Sequence, residues 1–286
     1  MARQNVTVSL SGDAGDELFG GYGRYFFASK LNRTFSPFPG ALRRMFAAGI
    51  TGLSPQMWNT ILSPIRPLLP RKMASANLGD KLHKGAEIMA LRSPEELYLL
   101  LLSHWIQTSE LVISAFEPPT VLSDPGLQPK TDHFIHQMMA IDMLTYLPDD
   151  ILTKVDRAAM GVSLETRVPL LDHRVVEFAW RLPLDYKVRD GEGKWPLRQV
   201  LYKYVPKELI ERPKMGFGVP IDSWLRGPLR DWAEALLNES RLRQEGYFNP
   251  KPVRQKWEEH LSGKRNWSYH LWDILMFQAW LEAGKA

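Results

Sequence analysis

Three carboxylates, Asp13, Asp16 and Glu17, follow the Ser11-Gly12 pair and precede a run of glycines at Gly20, Gly21 and Gly23. Just before them, Val6 to Leu10 alternates apolar and polar residues, the period of a short strand half or fully buried in a sheet. A strand, a small-residue turn and a helix N-terminus present backbone N–H groups and a positive dipole end to an anion. Carboxylates in that place would repel a bare phosphate. They fit if a divalent metal accompanies it, because Mg2+ is held by one or two carboxylates plus phosphate oxygens. The simpler alternative is that the three acids cap the helix and complement its dipole. That alternative leaves the glycines unexplained: inside a helix each would cost roughly 0.5–1 kcal/mol relative to Ala. Close approach by a ligand or another segment is the usual compensation, and Tyr22 and Tyr25 add aromatic faces and hydroxyls at the same spot.

A second group of candidates is cationic. His136 to Leu147 reads as one helix ended by Pro148, and the next runs from Asp149 and Asp150 to Met160 and stops at Gly161. Ile151, Val155, Ala158, Ala159 and Val162 form its apolar stripe, and Lys154 and Arg157 project beside it. Two readings stand level: pairing with Asp150 and Asp156 on a solvated face, or two cations aimed at a phosphate held by the first loop. Glu165 and Arg167 lie between apolar neighbours and are expected to pair with each other or with Asp172.

The elements around these groups are mostly helical. Ser93-Pro-Glu-Glu is a helix start with a capping box, opening a buried helix through Ile106 with His104 as a packed core residue. Residues 117–131 form a proline-rich loop, either a lid or a connection. Glu211 to Pro220 is a tight loop carrying Arg212 and Lys214, with Gly216 and Gly218 allowing close backbone approach. The last third is plain helix, with Leu229, Trp232, Ala233, Leu236 and Leu237 on one face and a terminal apolar helix from Trp267 to Leu281.

The chain has 286 residues, 44% hydrophobic and 24% charged, which suits a globular protein with a real core. A net charge of +4 spread along the sequence permits anionic ligands and gives no argument for nucleic acid. The absence of cysteine excludes disulfides, thiolate metal sites and cysteine nucleophiles and fits a cytoplasmic setting. No apolar run reaches transmembrane length, so no membrane partner is expected.

Ser11-Gly-Asp-Ala-Gly-Asp-Glu-Leu-Phe-Gly-Gly-Tyr22 resembles the pyrophosphate-side motif of glutamine-dependent asparagine synthetases, which usually reads S-G-[E/D]-G-x-D-E-x-F-G-G-Y. Four further stretches look like that family's motifs in its order. They are Leu147 to Met160, Leu164 to Asp172, Gly193-Lys-Trp-Pro-Leu-Arg198 and Arg212 to Pro220. The resemblance implies a ligase of asparagine biosynthesis whose synthetase domain uses MgATP to adenylate the side-chain carboxylate of aspartate. Ammonia from a separate glutaminase domain then displaces AMP.

Carried over by position, the resemblance implies that Ser11 and Gly12 contact the nucleotide and that Tyr22 lines the site. It implies that Asp16 serves the Mg2+–pyrophosphate and that Asp13 serves formation of the β-aspartyl-AMP intermediate. Asp13 stands where some relatives have Glu, one methylene longer. Arg157, with Lys154 a turn away, matches the cation that stabilises phosphate charge. Two departures stand beside these matches: there is no cysteine for a glutaminase nucleophile, and no S-G-G-x-D-S signature. Residues 1–286 are therefore expected to be the C-terminal portion of a synthetase domain, lacking the glutaminase domain and the PP-loop. The expected fold is mainly α with a residual short parallel β element, a fragment of the α/β PP-loop ATP pyrophosphatase fold. The isolated chain is expected to be inactive. Its bared strand edge is expected to drive homo-oligomerisation or to be covered by another segment. The alternatives are another amide-forming relative such as a β-lactam synthetase, or a helical assembly domain without catalysis.

Overall fold

The structure, a computed structural model, describes residues 1–64, 78–211 and 218–284. The N-terminal strand is present but short: β1 covers Val8–Leu10 and pairs in parallel with β2, Glu165–Arg167. Val8 stands opposite Glu165 and Leu10 opposite Arg167, and the Ser9 and Thr166 hydroxyls meet across the pair at 3.4 Å. The strand is not buried as its alternation suggests. Leu10 is 73% exposed and Val6 and Val8 are also exposed, on a sheet of two strands among the described residues.

The other long elements among the described residues are helices, beside two isolated bridges, Val112 with Phe248 and Arg189 with Glu192. After β1 come α1 (Gly15–Phe19), α2 (Gly23–Phe35), α3 (Gly40–Thr51), α4 (Pro55–Leu62), α5 (Leu78–Ala90) and α6 (Pro94–Leu102). The predicted Ser93 cap is present, with Ser93 Oγ accepting from Glu96 N–H, but the Glu96 carboxylate accepts from Arg92 N–H at 2.7 Å, one residue before the N–H of an ideal capping box. The helix stops at Leu102, however, and His104 lies beyond it. There His104 is half-exposed, pairs with Asp273 at 2.9 Å and stacks on Tyr269, so it is not a core residue. A turn of helix, α7 (Thr108–Leu111), precedes the 117–131 loop, whose Gln128 is pinned to Gln137 at 2.9 Å.

The next helix, α8 (Phe134–Leu144), ends before the predicted Leu147. Thr145 leaves the helical region, and Leu147–Leu152 forms one π-helical stretch that runs into α9 (Thr153–Met160). Pro148 therefore sits near the start of a helical segment, where its missing N–H costs nothing, rather than ending one. The predicted stripe on α9 is only half-covered: no residue of α9 is buried, and Val162 just past it is 61% exposed. Then come β2, α10 (His173–Arg181), α11 (Leu184–Lys187), α12 (Trp195–Leu201) and α13 (Lys207–Ile210). Asp172 caps α10 through Arg174 N–H, and Glu165 pairs with Arg167 at 2.8 Å, both exposed.

The chain divides into two compact units, Met1–Leu101 with Thr120–Ile210, and Leu102–Pro119 with Glu211–Ala286. The first packs Leu18, Phe19, Leu147 and Ala179 against Met143, Val176, Trp180 and Leu197. The second contains α7, α14 (Ile221–Arg226), α15 (Arg230–Leu236), α16 (Glu239–Glu245), α17 (Pro250–Leu261) and α18 (Ser268–Ala283). Its core is the predicted Ala233, Leu236 and Leu237 face, closed by Trp257, Leu271, Ile274 and Leu275. No described helix is long and apolar enough to cross a membrane. Of the 211–220 loop, residues 212–217, with Arg212 and Lys214, lie outside the described residues.

Candidate active site

β1 delivers the chain to a tight acidic loop. Ser11 N–H donates to the Arg167 carbonyl at 2.8 Å, extending the ladder by one bond. Ser11 Oγ donates to Asp13 Oδ2 at 2.5 Å, which folds the hydroxyl over its own turn. Nothing lies within 4 Å of the place a Gly12 side chain would take, so that backbone is open to a ligand. Ala14 then adopts φ +66°, an uncommon conformation for a residue with a side chain, and it is buried. Strain at a loop joining strand to helix is the kind that accompanies function.

The glycines are explained by another segment of the chain. α1 is only five residues long and ends at Gly20 in the left-handed conformation, φ +66°, so Gly20 and Gly21 are not inside a helix as the sequence suggests. A hairpin lies against them. Arg189 and Glu192 exchange backbone bonds of 3.0 and 2.7 Å around Asp190 and Gly191, both at positive φ, the geometry of a two-residue primed turn. Gly193 rests directly on the Gly20 carbonyl, and a side chain there would overlap it. Lys194 N–H donates to Phe19 O at 2.8 Å, and at Gly21 a side chain would strike both Asp16 and Lys194. The outcome is a contact between residues far apart in sequence: Lys194 Nζ lies 2.6 Å from Asp16 Oδ2, each side chain about a quarter exposed.

Behind this contact the loop is anchored by a polar network. Glu17 is buried and accepts from the Tyr22 hydroxyl at 2.8 Å. Burial raises the Glu17 carboxyl above its usual range, aided by the charges of Asp16 and Asp142 and opposed by the Tyr22 bond. Tyr22 packs edge-on against Tyr25 and Tyr146, with the Arg24 guanidinium 4.1 Å from its ring centre. Arg24 and Tyr25 both donate to Asp142 Oδ2 at 2.5 Å, and Tyr98 donates to Oδ1 at 2.6 Å. Burial and the Asp142 charge push the Tyr25 and Tyr98 hydroxyls upward, so both remain protonated donors. The network ties α2, α6 and α8 to the Asp142 carboxylate, and the Glu17–Tyr22 bond joins α1 to the start of α2.

The structure places Ser11, Gly12 and Asp13 on the turn after β1, Asp16 on α1 and Tyr22 at the start of α2, and it adds Lys194 at Asp16, which sequence reasoning did not single out. The Gly193 to Arg198 motif was visible, but nothing in spacing shows that Lys194 meets a residue 178 positions away. Lys154 and Arg157 are not brought into hydrogen-bonding contact with this loop. Lys154 forms an exposed helical pair with Asp150 at 3.7 Å, the solvated-face arrangement. Arg157 is exposed, with no ion-pair partner among the described residues. Among the described residues no group of three or more metal-binding side chains occurs. The two carboxylates of the loop suit a cation that also takes phosphate oxygens, and do not suit an all-protein metal cage.

Comparison with known proteins agrees with the motif order. The Asparagine synthase family model matches residues 1–282. The chain belongs to that family. It is 30% identical over 282 residues to asparagine synthetase [glutamine-hydrolyzing] 1 of Bacillus subtilis, covering 98% of this chain and 41% of the relative. It is 34% identical over 290 residues to a putative asparagine synthetase [glutamine-hydrolyzing] of Mycobacterium tuberculosis, covering 98% and 40%. A shorter match, 32% over 143 residues, is to asparagine synthetase [glutamine-hydrolyzing] of Bos taurus. The chain therefore spans about two fifths of the length of the two bacterial relatives. No solved structure matches it.

Proposed function

We propose that this chain supplies the pyrophosphate side of an ATP-dependent asparagine synthetase. The supporting observation is the Asp16–Lys194 contact, which sets a cation and a carboxylate side by side on a loop whose backbone at Gly12 is open. In the proposed reaction an oxygen of the aspartate side-chain carboxylate attacks the α-phosphorus of ATP. The new P–O bond forms as the bond to pyrophosphate breaks, giving β-aspartyl-AMP. Ammonia, derived from glutamine in the whole enzyme, then adds to the acyl carbon. The amide forms as AMP leaves and the nitrogen loses a proton.

The chain's own residues are assigned to these steps as follows. Ser11 and Gly12 meet the nucleotide, and Asp16 serves the metal–pyrophosphate while Lys194 neutralises charge arriving on the leaving group. Charge stabilisation by fixed cations of this kind is a large term in nucleotidyl transfer. Asp13, held by Ser11, serves the adenylate, and Tyr22 lines the site. Arg157, without an ion-pair partner among the described residues, is assigned to the phosphates, with Lys154 supporting it. Bound Mg2+ would add charge neutralisation between pyrophosphate and carboxylate. The parallel β1–β2 pair is proposed as one end of an α/β PP-loop sheet. The nucleotide cradle is assigned to an S-G-G-x-D-S segment that this sequence does not contain. For that reason the chain alone should not turn over ATP.

The test is aspartate-dependent pyrophosphate release. In a longer protein carrying the chain, Lys194→Ala should lower the rate at least about 100-fold, the scale of losing one oxyanion-type donor. An unchanged rate would overturn the assignment. Release by the isolated chain above a Lys154→Ala, Arg157→Ala control would overturn the dependence on a separate cradle.

A further inference from the structure

Lys187 closes α11 with its side chain fully buried and, among the described residues, its Nζ without a hydrogen-bond partner. The amine lies 4.6 Å from the centre of the Trp180 ring on α10. His136, in the first turn of α8, stands 5.9 Å from that ring between centroids, and its Nε2 is also buried without a partner. Burial lowers the Lys187 amine to about 8. Burial, then the Lys187 and His133 charges, lowers His136 to about 4, with Asp132 opposing. His136 feels the Lys187 charge together with His133 and Asp132, and α12, packed against α11, carries Arg198. From α10 the amine meets the Trp180 ring.

Between Lys187 and Lys194 the chain has little slack. Val188 N–H donates to Leu184 O at 2.9 Å, and the Val188 side chain stands against Gly20. Arg189 and Glu192 close the two-residue turn, Gly193 rests on Gly20, and Lys194 N–H is fixed to Phe19 O. One short hairpin therefore carries a lysine amine at each end, the first buried at its root and the second on Asp16. A buried ammonium without an acceptor is drawn to the ring face and to any free lone pair, here that of His136 Nε2 in the Nδ1–H tautomer. A neutral amine has neither demand. The two protonation states therefore favour different placements of the same backbone.

We propose that Lys187 is a positioning residue for Lys194: the charge on its buried amine, held at the Trp180 ring that His136 also meets, sets the placement of residues 188–194 and with it the Lys194–Asp16 ion pair. The consequence for catalysis rests on the function proposed above; the coupling between the two lysines does not. The test follows the lysine Nζ resonances of the intact chain, labelled with 15N-lysine, from pH 6.5 to 10. The Lys194 signal should show an inflection near pH 8 besides its own titration. Lys187→Met should abolish that inflection, and His136→Gln, which offers a permanent acceptor, should move its midpoint upward by half a pH unit or more. Absence of the inflection, its persistence in Lys187→Met, or an unmoved midpoint in His136→Gln would overturn the coupling. In a longer, active protein the same inflection should appear in kcat for pyrophosphate release and vanish in Lys187→Met, with KM for aspartate unchanged. A protein without activity would reject the proposed reaction while leaving the resonance test intact.

Discussion

In the unit formed by Leu102–Pro119 and Glu211–Ala286, the largest fully buried residue is Trp257, packed among leucines, with its indole N–H on Glu234. In the other unit a residue just as deeply buried is a carboxylate, Asp142, held by Arg24, Tyr25 and Tyr98. The first unit closes mainly with apolar volume, although His260, Ser268 and Gln278 are buried in it as well. The second spends buried volume on polar groups, leaves Lys187 and His136 unpartnered, and exposes Leu10 and Val162. Buried polar networks hold geometry tightly when satisfied and are expensive when broken. The unit that carries the acidic loop thus centres on charged and phenolic groups held at one carboxylate, and the other centres on an apolar cluster closed around Trp257.

That contrast can be broken from either side. The largest effect should come from Asp142→Ala, which strands the Arg24 guanidinium among tyrosines. A loss of about 3–5 kcal/mol is expected, the scale for breaking a buried ion pair from one side. Urea unfolding followed by hydrogen exchange should show the loss in α2, α6 and α8 and spare α17 and α18. A loss under about 1 kcal/mol would mean the network does not hold its unit together. Trp257→Ala should cost a similar or slightly smaller amount, about 3–4 kcal/mol by cavity creation, with exchange rising in α15 to α18 instead.

Lys187→Met should act in the opposite direction. The folded-state amine titrates at about 8 and the unfolded one at 10.5, so below pH 8 the folded protein carries a charge it disfavours. The unfolded state binds more protons between these values, and stability rises with pH across that window. The variant should gain about 2–3 kcal/mol at pH 7 and lose the rise between pH 8 and 10.5. His136 gives the acid counterpart: lowered from 6.5 to about 4, it should make stability fall as pH drops through that interval. Thermal melts at closely spaced pH, with and without His136→Gln, would check both signs.

Smaller effects are expected at the surface. Lys194→Met removes a partly exposed pair and should cost less than about 1 kcal/mol, even though its proposed effect on catalysis is large. A loss of several kcal/mol would make Lys194 a structural residue first. The bared strand should favour self-association, and Val8→Lys should reduce it in sedimentation velocity. Equal monodisperse behaviour of both proteins would show that the edge is already satisfied.

The sequence by itself determined the family, the helical character and most helix starts, because those depend on short-range rules. Ser93 caps α6 where the Ser93-Pro-Glu-Glu motif puts a helix start. Ser11, Gly12, Asp13, Asp16 and Tyr22 were legible as candidates because they lie within twelve consecutive residues, Ser11 to Tyr22. Tertiary structure alone decided the rest. Gly20 and Gly21 look like a weakened helix until the hairpin at Gly193 is seen lying on them. Trp180, Lys187 and His136 are separate residues on three helices until packing brings two buried nitrogens around one ring. His104 shows the opposite error: local pattern put it inside a buried helix, and Asp273 holds it beyond the helix end. In each case the deciding interaction joins residues far apart in the chain, where neither periodicity nor capping carries information. Such contacts are fixed only by which apolar surfaces pack and which polar atoms then find partners.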